Sequence, residues 1–353
     1  MLARERQKVI LEQLRLYGRI RATEMATELG VSEITLRRDL NELHTAGQLS
    51  RVHGGAVRHG TDAPGREGQI LIGILVPGSV YYFSEVIHGA ESVAESLNVR
   101  LVLGVSGGVD NESERVQRML DLGVEGLLVT TTLGDGRAAE LERWLGELPV
   151  PVVLMERSFG FPHVSRELDH VRSDHAHGAM LALRHLRDLG HESVALALSV
   201  TPTSYWLERG YHAAVEKLGM GAQPEPVELP HSPGGVAVDA LEALLDDSLA
   251  SDVRAFLVHN DTQASGLVDV AMKRGLRIPE DISVVAYDDV MAAMAAVPLT
   301  AVGPPKQSVG ALALEQLIRR IGYPADRPGA VSHLSLLPTL QLRQSSGAKK
   351  TAI

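Results

Sequence analysis

A chain of 353 residues is long enough for two or three compact units, and with 44% hydrophobic residues it can bury a sizeable core. The absence of cysteine excludes a disulfide framework and a thiolate metal site, and no apolar run approaches membrane-spanning length. The formal charge of −10 is unevenly spread: residues 1–59 hold 10 Lys+Arg against 7 Asp+Glu, or +3, and the remainder holds 24 against 37, or −13, so any affinity for phosphates must reside at the N-terminus.

The first residues, M-L-A-R-E-R-Q-K, run into an amphipathic helix with Ile10, Leu14 and Tyr17 on one side. That is unlike a secretory signal, and a cytoplasmic protein is expected. Thr23 and Ser32 are each placed to cap a helix, with Gly30 supplying the turn between them. In the second helix Leu36, Leu40 and Leu43 fall at i, i+4 and i+7 and make one apolar face. Arg37, Arg38 and Asn41 point away from it, and arginine and asparagine are the side chains that pair bidentately with guanine and adenine edges in a major groove. Ile34 beside them could meet a thymine methyl. An isolated R-R pair would read as a solvated surface, but a hairpin follows: Leu49–Val52 and Ala56-Val57 flank His53-Gly54-Gly55, a signal for a tight turn and a basic two-stranded wing.

The motif V-S-x-x-T-x-R-R-D-L followed by G-x-x-x-R-x-H-G-G-A resembles the DeoR family of bacterial transcription regulators, from about Arg6 to Val57. The resemblance implies a winged helix-turn-helix over residues 1–57, with Thr23, Ser32, Thr35, Arg37, Arg38, Asn41, Arg51, His53 and Gly54 at double-stranded DNA. Residues 58–69, polar with three glycines and one proline, read as a flexible linker that cannot form a stable helix.

From Ile70 the texture changes to continuous apolar strands near Ile70, Arg100, Glu125 and Val150, separated by helices near 84–97, 112–122 and 137–145. The pattern restarts with strands near His170, Ser193, Arg254 and Ser283 and helices near 174–189, 206–218, 236–245 and 262–274. A strand near Leu299, a helix over 307–321 and two short strands around His333 to Leu342 complete the chain. The expected class is α/β, with parallel sheets covered on both faces.

I-G-I-L-V-P…Y-F-S-E-V-I-H-G-A, L-R-D-L-G-H-E-S-V-A-L, N-D-T-Q-A-S-G, I-P-E-D-I-S-V-V-A-Y-D-D and P-L-T-A-V are similar, in that order, to the sensor domains of the LacI/GalR family. The resemblance implies a periplasmic-binding-protein-like sensor over 70–345. Subdomain 1 would take about 70–161 and 290–322, subdomain 2 about 162–289 and 323–345, and residues 346–353 a disordered tail. A ligand would lie in the cleft, at the carboxyl ends of the strands. Tyr82 and Phe83 follow the first strand, where that family sets a ring against its ligand. Glu156 and Arg157 end the fourth strand, and Asn260, Asp261 and Asp288 end later ones. One of Asp288 and Asp289 is expected to cap a helix while the other faces the cleft.

The sequence departs from the family pattern at Leu207, where an arginine usually stands before a Gly-aromatic pair, and at Pro304, a frequent glutamine. Thr203 and Trp206 are candidates to substitute by hydrogen bonding and stacking. The remaining cleft residues are net acidic, which favours a neutral sugar or polyol over a phosphorylated one. Asp174-His175-Ala176-His177 invites a metal reading, yet D-x-x-x-G-A is also an ordinary helix cap and zinc wants further ordered ligands. No nucleophile elbow or phosphate-binding glycine loop occurs. The expectation is a dimeric, ligand-responsive DNA-binding repressor with no cofactor, metal or catalytic residue. An exported solute-binding protein and a sugar-metabolising enzyme are the alternatives.

Overall fold

The computed structural model describes residues 6–7, 9–11, 19–22, 25–26, 29, 31–45, 48–52, 55–58, 69–78, 81–107, 111–132, 143–158, 168–230, 235–323 and 329–347. Two units result, Met1–Gln69 and Ile70–Ile353.

In the first unit helix α1 (Glu33–Thr45) buries Leu36, Leu40 and Leu43 against Ile10, Ala22, Met25, Ala26 and Leu49. Ser32 caps it, its hydroxyl oxygen accepting the Thr35 amide at 3.2 Å. Asp39, also buried, accepts two hydrogen bonds from Arg6, at 2.8 and 3.2 Å, which ties α1 to the N-terminal helical residues. The hairpin pairs β2 (Leu49–Val52) with β3 (Gly55–Arg58), and His44 Nδ1 donates to the Leu49 carbonyl at 3.1 Å. Arg58 pairs with Leu49, so it belongs to the wing and not to the linker, whose residues 59–68 lie outside the described ones. A third strand, β1 (Arg19–Arg21), completes an antiparallel sheet in the order β1-β3-β2.

The second unit has two lobes, each built on a six-stranded sheet. The first sheet is parallel, in the order β14-β8-β7-β6-β4-β5, from β4 (Ile70–Val76), β5 (Val99–Val105), β6 (Gly126–Val129), β7 (Val152–Met155), β8 (Asp169–Ser173) and β14 (His333–Leu336). The second has the order β10-β9-β11-β12-β13-β15, from β9 (Ala195–Ser199), β10 (Val227–Leu229), β11 (Ala255–His259), β12 (Ser283–Tyr287), β13 (Thr300–Gly303) and β15 (Thr339–Gln341), with β15 alone antiparallel. Strands such as V-V-L-M and A-F-L-V-H are buried along their whole length because helices cover both faces, which is why they read as unbroken apolar runs.

The helices are α2 (Tyr82–Ala94), α3 (Glu112–Asp121), α4 (His175–Asp188), α5 (Pro202–Leu218), α6 (Val238–Ala250), α7 (Asp261–Lys273) and α8 (Lys306–Ile321). Helix α8 packs on α2 in the first lobe. Their backbones meet through glycines: a β-carbon at Gly310 would strike the Val86 carbonyl oxygen, and one at Gly89 the Gln307 carbonyl oxygen. In the second lobe a β-carbon at Gly210 of α5 would meet the Ala176 backbone of α4 in the same way. Gly310→Val is therefore expected to cost about 3 kcal/mol, the upper end of ordinary overpacking, because carbonyl oxygens cannot yield as side-chain ends do. An unchanged denaturation midpoint would refute this packing.

The sheet order moves the expected subdomain limits. Strands β8 and β14 lie in the first sheet and β13 in the second, so the chain crosses between lobes at Asp174, at Pro304-Pro305 and at Leu337-Pro338 instead of near 161, 290 and 322. Buried parallel strands have the same hydropathy in either sheet, and only pairing assigns them. Ser346 and Gly347 are not tail: Ser346 lies 2.8 Å from His185 Nε2, and the Gly347 amide donates to Ser283 Oγ at 3.0 Å.

Candidate functional site

The carboxyl ends of both sheets face the gap between the lobes, and the polar residues expected there divide into two groups. Glu156 directly follows β7 with φ of 53° and is 6% exposed. Its Oε1 accepts the Tyr82 hydroxyl at 2.7 Å and the Ser173 hydroxyl at 2.8 Å, and its Oε2 accepts the Ser173 amide at 2.8 Å with His175 Nε2 at 3.5 Å. Burial alone would raise its pKa. The bonds from His175, Ser173 and Tyr82 outweigh burial and hold it at about 2. Arg157 donates to the Thr131 carbonyl and to the Glu156 carbonyl, each at 2.7 Å. Asp261 is fully buried and accepts the amides of Asp289, Val290 and Met291 at 3.2, 2.6 and 2.8 Å. Asn260 caps α7, its Oδ1 accepting the amides of Thr262 and Gln263 at 3.1 and 3.4 Å. These polar side chains, expected at the ligand, also hold strand ends and loops in place.

Asp288 behaves differently. It sits with φ of 109° just after β12, its carboxyl buried in the gap, and burial together with the charge of Asp261 pushes its pKa well up against the opposing pull of Lys306. Lys306, from the first lobe, donates to the Asp288 carbonyl. Its neighbour Asp289 forms an ion pair with Arg343 at 2.7 Å, so the adjacent carboxylates have separate tasks, and neither caps a helix. Across the gap stands Tyr81, at φ of 58°, whose buried hydroxyl closes no hydrogen bond of ordinary length. Burial and then the charges of Asp288 and Asp261 raise its pKa. Tyr82 and Phe83 pack edge to face at 5.3 Å on the apolar core of the first lobe, the Tyr82 hydroxyl being taken by Glu156. Tyr81, the residue before the expected pair, also faces the Asp288 carboxyl.

On α5, Leu207 is fully buried in the second lobe's core, so the slot that departs from the family pattern is structural here. Arg209 stays outside, donating to the Tyr205 hydroxyl at 2.7 Å. Thr203 lies half-buried in the first turn, and Trp206 carries the guanidinium of Arg172 over its ring at 4.4 Å. Arg172 lies in β8 of the first lobe, and the cation–π contact joins the lobes. Sequence reasoning missed both Tyr81 and Arg172. The available signals were a third aromatic beside Y-F and a charge set into an otherwise buried strand.

Asp174 caps α4 by accepting the His177 amide at 2.9 Å, while His175 turns inward, its Nδ1 2.9 Å from the Tyr287 hydroxyl. Among the described residues no group of three or more His, Asp or Glu could hold a metal ion. No described helix is long and apolar enough to cross a membrane.

In the first unit Arg38 is exposed, its Nε 3.9 Å from Glu42, and Asn41 is exposed on the same helix. Ser32 and Thr35, expected at DNA, have hydroxyls 2.9 Å apart at the start of α1. Thr23, His53 and Gly54 lie outside the described residues, as do the side chains of Ile34, Arg37 and Arg51.

Residues 6–61 match the family described as DeoR-like helix-turn-helix domain, and residues 183–346 match the periplasmic binding protein-like domain family. The HTH-type transcriptional repressor PurR of Vibrio cholerae is 30% identical over 258 residues, 71% of this chain and 74% of that protein. The ribose operon repressor of Escherichia coli K12 is 30% identical over 285 residues, 78% of this chain and 82% of that one. Among solved structures, a LacI family transcriptional regulator from Enterococcus faecium with bound ribose superposes with a TM-score of 0.61 at 24% identity, covering 79% of this chain and all of that one.

Proposed function

We infer, for a chain that belongs to the LacI family and is a ligand-responsive DNA-binding transcriptional repressor, that it controls carbohydrate-use genes and binds a sugar or polyol between the lobes of its sensor. The observation that carries this reading is the Asp288 carboxyl, buried in the gap opposite the Tyr81 hydroxyl. A buried carboxyl is stable only with hydrogen-bond partners, and vicinal hydroxyls supply them without adding charge. The similarity to a ribose operon repressor supports the same class of ligand. The chain acts in the cytoplasm, where operator DNA is, and its cleft binds without turnover.

The test is thermal stabilisation of the intact chain by a panel of sugars and polyols. A ligand at 100 times its Kd stabilises by about 2.7 kcal/mol. Asp288→Ala is expected to abolish that stabilisation and to spare operator affinity. Full stabilisation of the variant would remove the effector from this cleft. The working species is a homodimer, because two-fold assemblies match palindromic half-sites. Light scattering that gives a monomer at concentrations where DNA is bound would refute the dimer.

A further inference from the structure

We propose that Arg172 selects the ligand: its guanidinium, seated on Trp206, grips a vicinal diol of an uncharged polyhydroxy compound whose far side hydrogen-bonds with Asp288. The proposal rests on the gap between the lobes being the effector site, and it adds the residue and the charge class.

Among the described residues, four buried side-chain polar atoms close no hydrogen bond of ordinary length: Tyr81 Oη, which faces the Asp288 carboxyl, Ser106 Oγ, Arg172 Nε and His259 Nδ1. Folded proteins leave few such atoms without a reason. All four lie at the carboxyl ends of strands: Tyr81 in the loop after β4, Ser106 next after β5, Arg172 one residue before the end of β8, and His259 as the last residue of β11. Such a distribution fits a ligand held between the lobes and does not fit scattered packing faults.

Arg172 is the member of this set that already spans the lobes. Its Cζ lies 4.4 Å from the centre of the Trp206 ring, whose surroundings also include Arg209, 6.0 Å from that centre. The cation–π contact holds the guanidinium over the ring, and its buried Nε–H, which has no partner, is left for an oxygen acceptor. Two features decide between a diol and an anion. Burial lowers the pKa of Arg172, and Asp174 and Glu156 lie close enough to oppose that and favour its charged form. Across the gap, burial and the charge of Asp261 hold the Asp288 carboxyl well above the usual carboxylate range, so that side of the cleft already disfavours negative charge. A hydroxyl can accept from Arg172 and either donate to or accept from Asp288 without adding charge, whereas a carboxylate or phosphate brings a negative charge into that environment.

The intact chain would be titrated by calorimetry and thermal shift with D-ribose, D-xylose, D-mannitol and myo-inositol, and with D-galacturonate and D-ribose 5-phosphate as anionic probes. At least one neutral probe is expected to bind and the anions to bind more weakly. Arg172→Gln should weaken the bound neutral probe by about 10- to 100-fold, the loss of a charge-assisted pair. Arg172→Lys, which keeps the charge and loses the fork, should recover only part of this. Unchanged unliganded melting in the lysine variant confirms that folding is not what fails. Wild-type affinity in Arg172→Gln together with loss in Asp288→Ala would overturn the role of Arg172 and keep the cleft as the site. Wild-type affinity in both variants would overturn the cleft itself. Preference for an anionic probe, or no binding of any neutral one, would overturn the charge class.

Discussion

Replacing Arg38 by alanine is expected to weaken operator binding by about 1–3 kcal/mol, if its contact is bidentate to a base, and to leave stabilisation by sensor ligands intact. The expectation follows from how α1 is fixed. Leu36, Leu40 and Leu43 bury one face, and Asp39 is pinned to Arg6 from within, so rotation of the helix about its axis is blocked. Arg38, one position before Asp39, is then held on the outer face with a side chain 68% exposed. It pairs with Glu42 at 3.9 Å, an exposed contact that gives way to a nucleic acid at little cost. A gel shift on the gene's own upstream region decides the matter: unchanged affinity removes Arg38 from the interface. Equal loss on specific and random DNA would make it a phosphate contact, with a salt slope lower by about one unit.

The recognition helix was legible because its signals are local. A serine cap, three leucines at helical spacing and an R-R-D-L block suffice to set α1 and its exposed face. The strand β1 was not legible, since R-I-R is too short to show alternation and is defined only by pairing with β3. The same limit moved β8, β13 and β14 between lobes. In the cleft, a sequence shows which polar residues end strands but not where their hydrogen bonds go. Glu156, Asn260 and Asp261 look like ligand contacts by position, and their bonds go to Ser173, to α7 and to the 289–291 loop. Tyr81 and Arg172 carry no motif. With Ser106 and His259, they stand out only when the buried donors and acceptors of the described residues are paired off and these four close no hydrogen bond of ordinary length.

The change with the largest expected effect on stability is Glu156→Ala. It would leave the Tyr82 hydroxyl and both the amide and hydroxyl of Ser173 without their acceptor, at about 1–3 kcal/mol for each buried group before relaxation. These bonds share one carboxylate, so the losses are not additive, and a total of about 3–5 kcal/mol is expected. The pH dependence gives an independent check. The folded pKa of about 2 lies below the ordinary value of 4.5. A carboxylate depressed in this way stabilises the fold fully above pH 4.5 and loses that contribution as pH falls through 4.5 towards 2, by about 3 kcal/mol over the window. Glu156→Gln, which keeps the shape and cannot ionise, should therefore be less stable than wild type at pH 7 and approach it as the pH falls towards 2. Denaturant midpoints measured at pH 7, 4.5 and 3 would show the two curves converging. Parallel curves would mean that the Glu156 charge does not brace this end of β7, and that Tyr82, Ser173 and His175 are held by their own packing.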